Sequence, residues 1–335
     1  MKKFSCQFFG VFPIMKEYTR AHLKDFHLSI SEHELASADE LKTDSDILGV
    51  FVGSKVDAVV FDKLPHLKLI VTMSTGYDHI DLALAKKRRI PVCNVPTYGE
   101  NTVAEHAVAL ILALSRQLFT SVKRVKEGSF NYDGLRGFDL KGKTVGVVGT
   151  GHIGAQVIRI LKGFEMDILA CDAFPNKTME KSLGFTYVSL PKLLATADII
   201  TLHVPLLKET THIINKKNIK KTKPGAYIIN TARGGLIDTE ALLWGIESGH
   251  IAGAGLDVLE DENFIQNPEK LLARNVKPKD VRIALMDNIL IDHPKVIITP
   301  HNAFNSAEAL QRIMDVTIDN VKVWALGKVQ NNVAN

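Results

Sequence analysis

The chain has 335 residues, 46% of them apolar and 23% charged, with a formal net charge of +4. At roughly 100–200 residues per domain, this predicts two domains, each able to bury its own core. The near-average composition excludes disordered, collagen-like and coiled-coil chains, and the slight, scattered basic excess reads as solvated surface rather than a nucleic-acid-binding face.

The opening MKKFSCQFFGVFPIM sets two lysines before an apolar stretch, as a secretory leader does. Gln7 and Pro13 interrupt it and no small-residue cleavage site follows, so it reads as the first buried strand of a cytoplasmic protein. Strands are predicted over 47–52 (ILGVFV) and 68–73 (KLIVTM). A mostly apolar helix is predicted over Thr102–Leu118, with at least two faces buried. It contains the longest unbroken apolar run, Ala107–Leu114, far short of a membrane span. Further strands are expected over 144–148, 166–171, 199–204, 226–230, 251–256 and 295–299. Between them Ser189 opens SLPKLLATAD, and Asp238 opens DTEALLWGIESG, which runs out at Gly249. Lys216, Lys217, Lys220, Lys221 and Lys223 alternate with other residues as on a surface helix. Residues 261–294 contain Pro268, Pro278 and Pro294 and predict surface loops around one short helix. Apolar spacing near 3.6 predicts a long helix over 306–326. Near-continuous apolar strands alternating with helices predict α/β architecture with doubly wound parallel sheets. The cysteines, Cys6, Cys93 and Cys171, lack the paired spacing of a disulfide framework or zinc site, as befits a reducing compartment. The histidines are dispersed, and Glu105-His106 alone is no metal ligand set.

Residues 144–154 read TVGVVGTGHIG. Gly149, Gly151 and Gly154 have GxGxxG spacing, weak alone. Here an apolar strand precedes it, a helical pattern follows, and a second strand ends at Asp172, 18 residues beyond Gly154. Gly149 permits the tight turn, Gly151 lets the backbone approach a pyrophosphate, and Gly154 seats the helix closely. The free N–H groups of that helix start, around His152 and Ile153, face the phosphates. Asp172 would accept hydrogen bonds from ribose hydroxyls and repel a 2′-phosphate, which predicts NAD rather than NADP.

Three further sites each follow a predicted strand: NTARGG with Arg233, LDVLEDE with Asp257 and Glu262, and TPHNAF with His301. Ligands of open α/β sheets bind at that edge. Taken singly, each residue reads as an ordinary surface charge or a satisfied polar group; their shared place beyond a dinucleotide fingerprint points to catalysis.

GTGHIG, HVPL (203–206), NTARGG, LDVLEDE and TPHNAF, with STGYDHID (74–81) and VPTYGENTVAEHA (95–107), together resemble the D-2-hydroxyacid dehydrogenase family. The resemblance is nearest to its D-lactate dehydrogenase branch. It implies two Rossmann-like domains enclosing a cleft. A discontinuous substrate domain would comprise 1–98 and 304–335, and an NAD-binding domain 99–303. It also implies NAD-dependent reversible reduction of a 2-oxo acid to the D-2-hydroxy acid, pyruvate to D-lactate first. Arg233 would bind the carboxylate through its planar fork and polarise the carbonyl. His301 would act as general acid or base, with Glu262 favouring its protonated form. Ser74, Thr75, Gly76 and Tyr98 would hold the substrate carboxylate. Thr102, His203, Val204, Pro205 and Thr210 would join the glycine loop in binding cofactor. Thr231, Ala232 and Asp257 would lie near the nicotinamide, with Asp257 accepting from its carboxamide. Gly53 and Met73 depart from the family, which often has an aromatic and an arginine there; a missing aromatic would enlarge the substrate pocket. Glyoxylate, hydroxypyruvate or branched 2-oxo acids are the alternative substrates, and an NAD(H)-sensing corepressor-like protein is the alternative of another class. A symmetric homodimer formed largely through the Thr102–Leu118 helix and the cofactor domain is expected.

Overall fold

The computed structural model describes residues 3–260, 262–266, 268, 271 and 276–334. The chain divides into two compact units, Met1–Tyr98 with Asn305–Asn335, and Gly99–Phe304.

The first unit holds strands β1 (Ser5–Phe8), β2 (His27–Ile30), β3 (Ile47–Val50), β4 (Leu69–Thr72) and β5 (Val92–Cys93). They form one parallel sheet in the order β2-β1-β3-β4-β5. Every residue of β3 and β4 is buried, as two-sided cover by helices requires. The end of the chain joins this unit through a helix over Ala307–Ala325, whose N-terminus is capped by the Ser306 hydroxyl accepting from Ala309 N. Asn320 on that helix donates to the Asn94 carbonyl at 2.9 Å, and Asn332 accepts from Val92 N at 3.1 Å.

The second unit holds β6 (Thr144–Val148), β7 (Asp167–Cys171), β8 (Thr186–Tyr187), β9 (Ile199–Leu202), β10 (Ala226–Asn230), β11 (Ile251–Leu256) and β12 (Val296–Ile298). They form a parallel sheet in the order β12-β11-β10-β9-β6-β7-β8. The order reverses at β6, the switch point where open α/β sheets bind ligands. Because the strands run one way, Gly149, Asp172, His203, Thr231, Asp257 and Thr299 all follow strand ends on one edge.

The apolar helix spans Glu100–Ser115 and stops where Gln117 turns left-handed at φ 47°. Ala104, Ala107, Val108, Leu110, Ile111 and Leu114 are buried in this unit's own core. Along Glu100–Ser115 no large apolar side chain is exposed, so the helix through which a homodimer is expected has no spare apolar surface of its own. That surface lies on the next helix, Leu118–Lys126, where Leu118, Phe119, Val122 and Val125 are exposed. Among the described residues no single helix is long and apolar enough to cross a membrane; these two meet that criterion only jointly, across a 63° bend.

Two local expectations also change. The lysine-rich 216–223 stretch contains only a 3-10 turn, Ile219–Lys221, anchored by buried Ile219. Residues 261–294 were expected as loops around one short helix, yet Pro278–Asp292 is a long helix that buries Ile283, Ala284, Met286 and Leu290. Alternating surface charges hide that face from a reading of composition, while Pro278 sits in the first turn, where it is tolerated. Part of the same stretch, at 261, 267, 269–270 and 272–275, lies outside the described residues.

Candidate active site

The turn after β6 is built from close approaches. Gly149 has φ +96°, and a Cβ there would meet the His203 backbone at 2.7 Å and Val204 Cγ1 at 2.8 Å. A Cβ on Gly154 would lie 2.0 Å from the Gly149 carbonyl oxygen. The third glycine thus seats the helix His152–Lys162 on the turn itself more than on the strand. Gly151 differs: a Cβ there would meet no atom of the chain within 4 Å. The chain's own packing does not require glycine at 151, whereas close approach by a pyrophosphate does. Ile153 packs on the core, and exposed His152 places Nδ1 3.2 Å from Glu100 Oε1.

Asp172, just after β7, is locked to this turn. Its Oδ2 accepts from Thr150 N at 2.6 Å and the Thr150 hydroxyl at 2.8 Å, and its Oδ1 accepts from Phe174 N at 2.9 Å. Partial burial opposes ionisation, but these hydrogen bonds and one from Ala173 N outweigh it and lower the pKa of the carboxyl. Tyr187 adds a further contact, its hydroxyl 2.7 Å from Thr150 Oγ1. Asp172 thus presents a charged, oriented acceptor, as a ribose diol requires.

His203 follows β9, with Nε2 2.8 Å from Thr201 Oγ1. Burial pushes its pKa down to about 4, so it is neutral at physiological pH. Its buried Nδ1 has no partner among the described residues. Thr210 turns its hydroxyl into its own loop, donating to the Pro205 carbonyl at 2.6 Å and accepting from Leu207 N at 2.7 Å. Thr231 is buried, with Oγ1 unpartnered among the described residues. Ala232 N donates to Asn230 Oδ1 at 3.1 Å.

Arg233 is half-buried and donates from one guanidinium nitrogen to the Ala232 carbonyl at 2.8 Å. Asn230 secures its backbone by donating to the Arg233 carbonyl, also at 2.8 Å. The next residue sets its height: a Cβ on Gly234 would sit 1.8 Å from the Leu259 carbonyl oxygen. The Arg233 turn therefore rests backbone to backbone on Leu259-Glu260. Glu260 reinforces the contact, accepting from Thr239 N and Oγ1 and lying 2.9 Å from His212 Nε2.

Glu262 opens the helix Glu262–Gln266. Its Oε1 accepts from Leu259 N at 3.1 Å, and its Oε2 lies 2.8 Å from His301 Nδ1. Both side chains are a little over one quarter exposed. With Nδ1–H donated to the carboxylate, Nε2 is left to exchange a proton with a ligand. His301 has φ +51°, the left-handed region that non-glycine residues rarely occupy, at a cost of about 1–3 kcal/mol. Asp257 holds it there. Only 1% exposed, Asp257 accepts from Asn302 N at 3.0 Å, Ala303 N at 2.9 Å and the Thr299 hydroxyl at 2.5 Å. These contacts are to the His301 loop, a role that the expected carboxamide contact did not anticipate.

In the first unit, Ser74–Gly76 form the turn after β4. Ser74 donates to the Gly76 carbonyl at 2.6 Å, Thr75 Oγ1 donates to the Val95 carbonyl at 2.7 Å, and Asn94 donates to the Thr75 carbonyl. These side chains brace the turn, and the N–H groups of Thr75 and Gly76 have no acceptor among the described residues. Tyr98 is half-buried, and its carbonyl accepts from Arg312 at 2.6 Å. Thr102 lies in the first turn of Glu100–Ser115. Met73 is wholly buried. Gly53 does not leave a void: its N–H donates to Glu34 Oε1 at 2.9 Å, and a Cβ there would overlap the Glu34 carboxylate. The space where a side chain at position 53 would begin is thus occupied by Glu34.

Sequence reasoning missed Thr150, Tyr187, Glu260, His212, Thr299 and His106. Thr150, His106, Glu260 and Thr299 lie inside motifs already singled out, overshadowed there by their neighbours, whereas Tyr187 and His212 carry no local signal. Tyr187 reaches the site only through the β7–β8 pairing.

Residues 108–303 match the profile of the D-isomer specific 2-hydroxyacid dehydrogenase NAD-binding domain. A 2-hydroxyacid dehydrogenase homolog of Schizosaccharomyces pombe is 39% identical, covering 93% of this chain and 90% of its own. The crystal structure of a D-lactate dehydrogenase from Aquifex aeolicus, complexed with NAD and lactic acid, superposes with a TM-score of 0.88 at 36% identity, covering 98% of this chain and 99% of that one. The pyruvate reductase of Chlamydomonas reinhardtii superposes at 0.85 with 39% identity, covering 97% of both chains. The glycine turn, the Asp172 carboxylate held against it and these matches agree: the chain belongs to the D-isomer specific 2-hydroxyacid dehydrogenases and is an NAD-dependent oxidoreductase of that family.

Proposed function

We propose that the enzyme interconverts pyruvate and D-lactate, with His301 as its proton donor and acceptor. The observation that carries this reading is the 2.8 Å contact from His301 Nδ1 to Glu262 Oε2, at the same sheet edge as the glycine turn. Glu262 fixes the ring's orientation and tautomer, so Nε2 delivers a proton to the carbonyl oxygen in reduction and takes it back in oxidation. Arg233 receives the substrate carboxylate through its bidentate fork and polarises the adjoining carbonyl. Ser74, Thr75, Gly76 and Tyr98 are assigned to the carboxylate as well. The glycine turn, His152, Ile153, Asp172, His203–Pro205, Thr210, Thr231, Ala232 and Thr102 are assigned to the dinucleotide, which supplies the hydride when bound. The pyruvate assignment draws support from the names of the D-lactate dehydrogenase and pyruvate reductase that the chain resembles.

Steady-state NADH oxidation with pyruvate, phenylpyruvate, 2-oxoisocaproate, hydroxypyruvate and glyoxylate tests the substrate. The highest kcat/KM is expected for pyruvate. A higher value for glyoxylate, hydroxypyruvate or a branched acid would displace pyruvate as substrate. Tight NADH binding without turnover of any acid would favour a cofactor-sensing role.

The exposed apolar face of Leu118, Phe119, Val122 and Val125 supports a homodimer formed through this helix. Replacing Phe119 and Val122 by Glu should yield a monomer in light scattering at micromolar concentration.

A further inference from the structure

A second chain of hydrogen bonds runs to the His301 loop from a residue with no assigned part in the reaction. His106, on the helix Glu100–Ser115, places Nε2 3.0 Å from Thr299 Oγ1 and 3.5 Å from Asp257 Oδ1. Thr299 donates its hydroxyl proton to Asp257 Oδ1. A carboxylate only accepts, and a hydroxyl has one proton, so Thr299 faces His106 with a lone pair. His106 therefore carries its proton on Nε2 and donates it. The direction of donation is set throughout: His106 to Thr299, Thr299 to Asp257. Asp257 in turn gathers the N–H groups of Asn302 and Ala303, the two residues after His301. Among the described residues His106 makes no recorded contact with His301, so its influence passes through this chain.

We propose that His106 is a positioning residue of the reaction: through Thr299 and Asp257 it holds the 299–303 backbone in the left-handed turn that presents His301 to Glu262. The segment needs external restraint because φ at His301 is +51°. Hydrogen bonds in series reinforce one another, so the first donor strengthens the hold of the last acceptor. Catalytic geometry is sensitive to displacements near 1 Å, while cofactor binding at the glycine turn lies on other strands. The inference rests on the reading of His301 as the acid–base group.

The test compares H106L, which removes the donor, with H106Q, whose amide N–H reaches about as far as Nε2. In H106L, kcat is expected to fall about tenfold or more, with the KM for pyruvate and the NADH dissociation constant within about twofold of the parent. H106Q should recover most of kcat. T299V breaks the same chain without altering His106, and should reproduce the kcat loss even if H106L folds poorly. H301N is measured alongside. Turnover in H301N near the parent's would remove the acid–base reading itself. An inactive H301N beside undiminished kcat in H106L and T299V would overturn only the role of His106. So would a change confined to KM, or failure of glutamine to restore kcat.

Discussion

Gly234→Ala probes how the Arg233 turn is seated without touching substrate or cofactor. The added methyl would lie 1.8 Å from the Leu259 carbonyl oxygen, 2.0 Å from its carbon and 2.5 Å from Glu260 N. All three are backbone atoms, so no side chain can swing aside. Reaching ordinary contact requires the turn to move by about 1.5 Å, against loop residues tied by Glu260 to Thr239 and His212. A shift of about 1 Å at a catalytic group costs on the order of 10²-fold in rate, and overpacking of this kind costs about 1–3 kcal/mol of stability. Gly235→Ala is the control, because its Cβ would meet only the movable Leu206 side chain, at 3.1 Å. The assays are kcat/KM for the oxo acid, NADH affinity by fluorescence and a thermal melt. Gly234→Ala should lose about 10²-fold in kcat/KM while binding NADH nearly as tightly, with Gly235→Ala close to the parent. Equal and small losses in both variants would refute this account of how Arg233 is placed.

Two further outcomes follow from charge and burial. Asp172→Asn should weaken NADH binding about tenfold or more, since a hydrogen bond to a charged group contributes about 1.5–3 kcal/mol, and should narrow the preference over NADPH. Because the Asp172 pKa is lowered, the parent's NADH affinity should not fall between pH 7 and 5 through this group; isothermal titration across that range checks both points. Desolvation of the partly buried His203 ring keeps it neutral with a pKa near 4, whereas an unfolded histidine titrates near 6.5. Between those values the unfolded chain binds the extra proton, so stability falls as pH drops below about 6.5. At pH 5 the loss from this residue is about 2 kcal/mol. Denaturant melts of His203→Asn should show a correspondingly shallower decline, and an unchanged slope would refute the burial argument.

The fold was largely legible because its signals are local. The two-sided burial of β3, β4 and β9 makes each a near-continuous apolar run, and the glycine spacing with Asp172 locates the switch point. Strands β2, β5 and β8 went unseen: β2 is a sheet-edge strand with no fully buried residue, and the two-residue β5 and β8 depend on neighbours rather than on pattern. In the candidate site, Arg233, Glu262 and His301 stand out in the sequence by their places beyond predicted strands. What holds them does not. Asp257 reads in the sequence as a ligand contact, yet its oxygens accept from Thr299, Asn302 and Ala303, more than 40 positions along the chain. Gly53 reads in the sequence only as a missing aromatic, yet Glu34, 19 positions earlier, occupies the space beside it. Such contacts between distant positions, made by ordinary polar residues, leave no periodic trace.

The central claim is that His301, oriented by Glu262, transfers the proton. Single-turnover reduction of pyruvate by NADH in His301→Asn measures this most directly, with NADH affinity determined on the same preparation. The account predicts cofactor binding within about threefold of the parent and a hydride-transfer rate lower by 10²–10⁴-fold, the usual contribution of general acid–base catalysis. A rate within a few fold of the parent, at unchanged cofactor affinity, would contradict it.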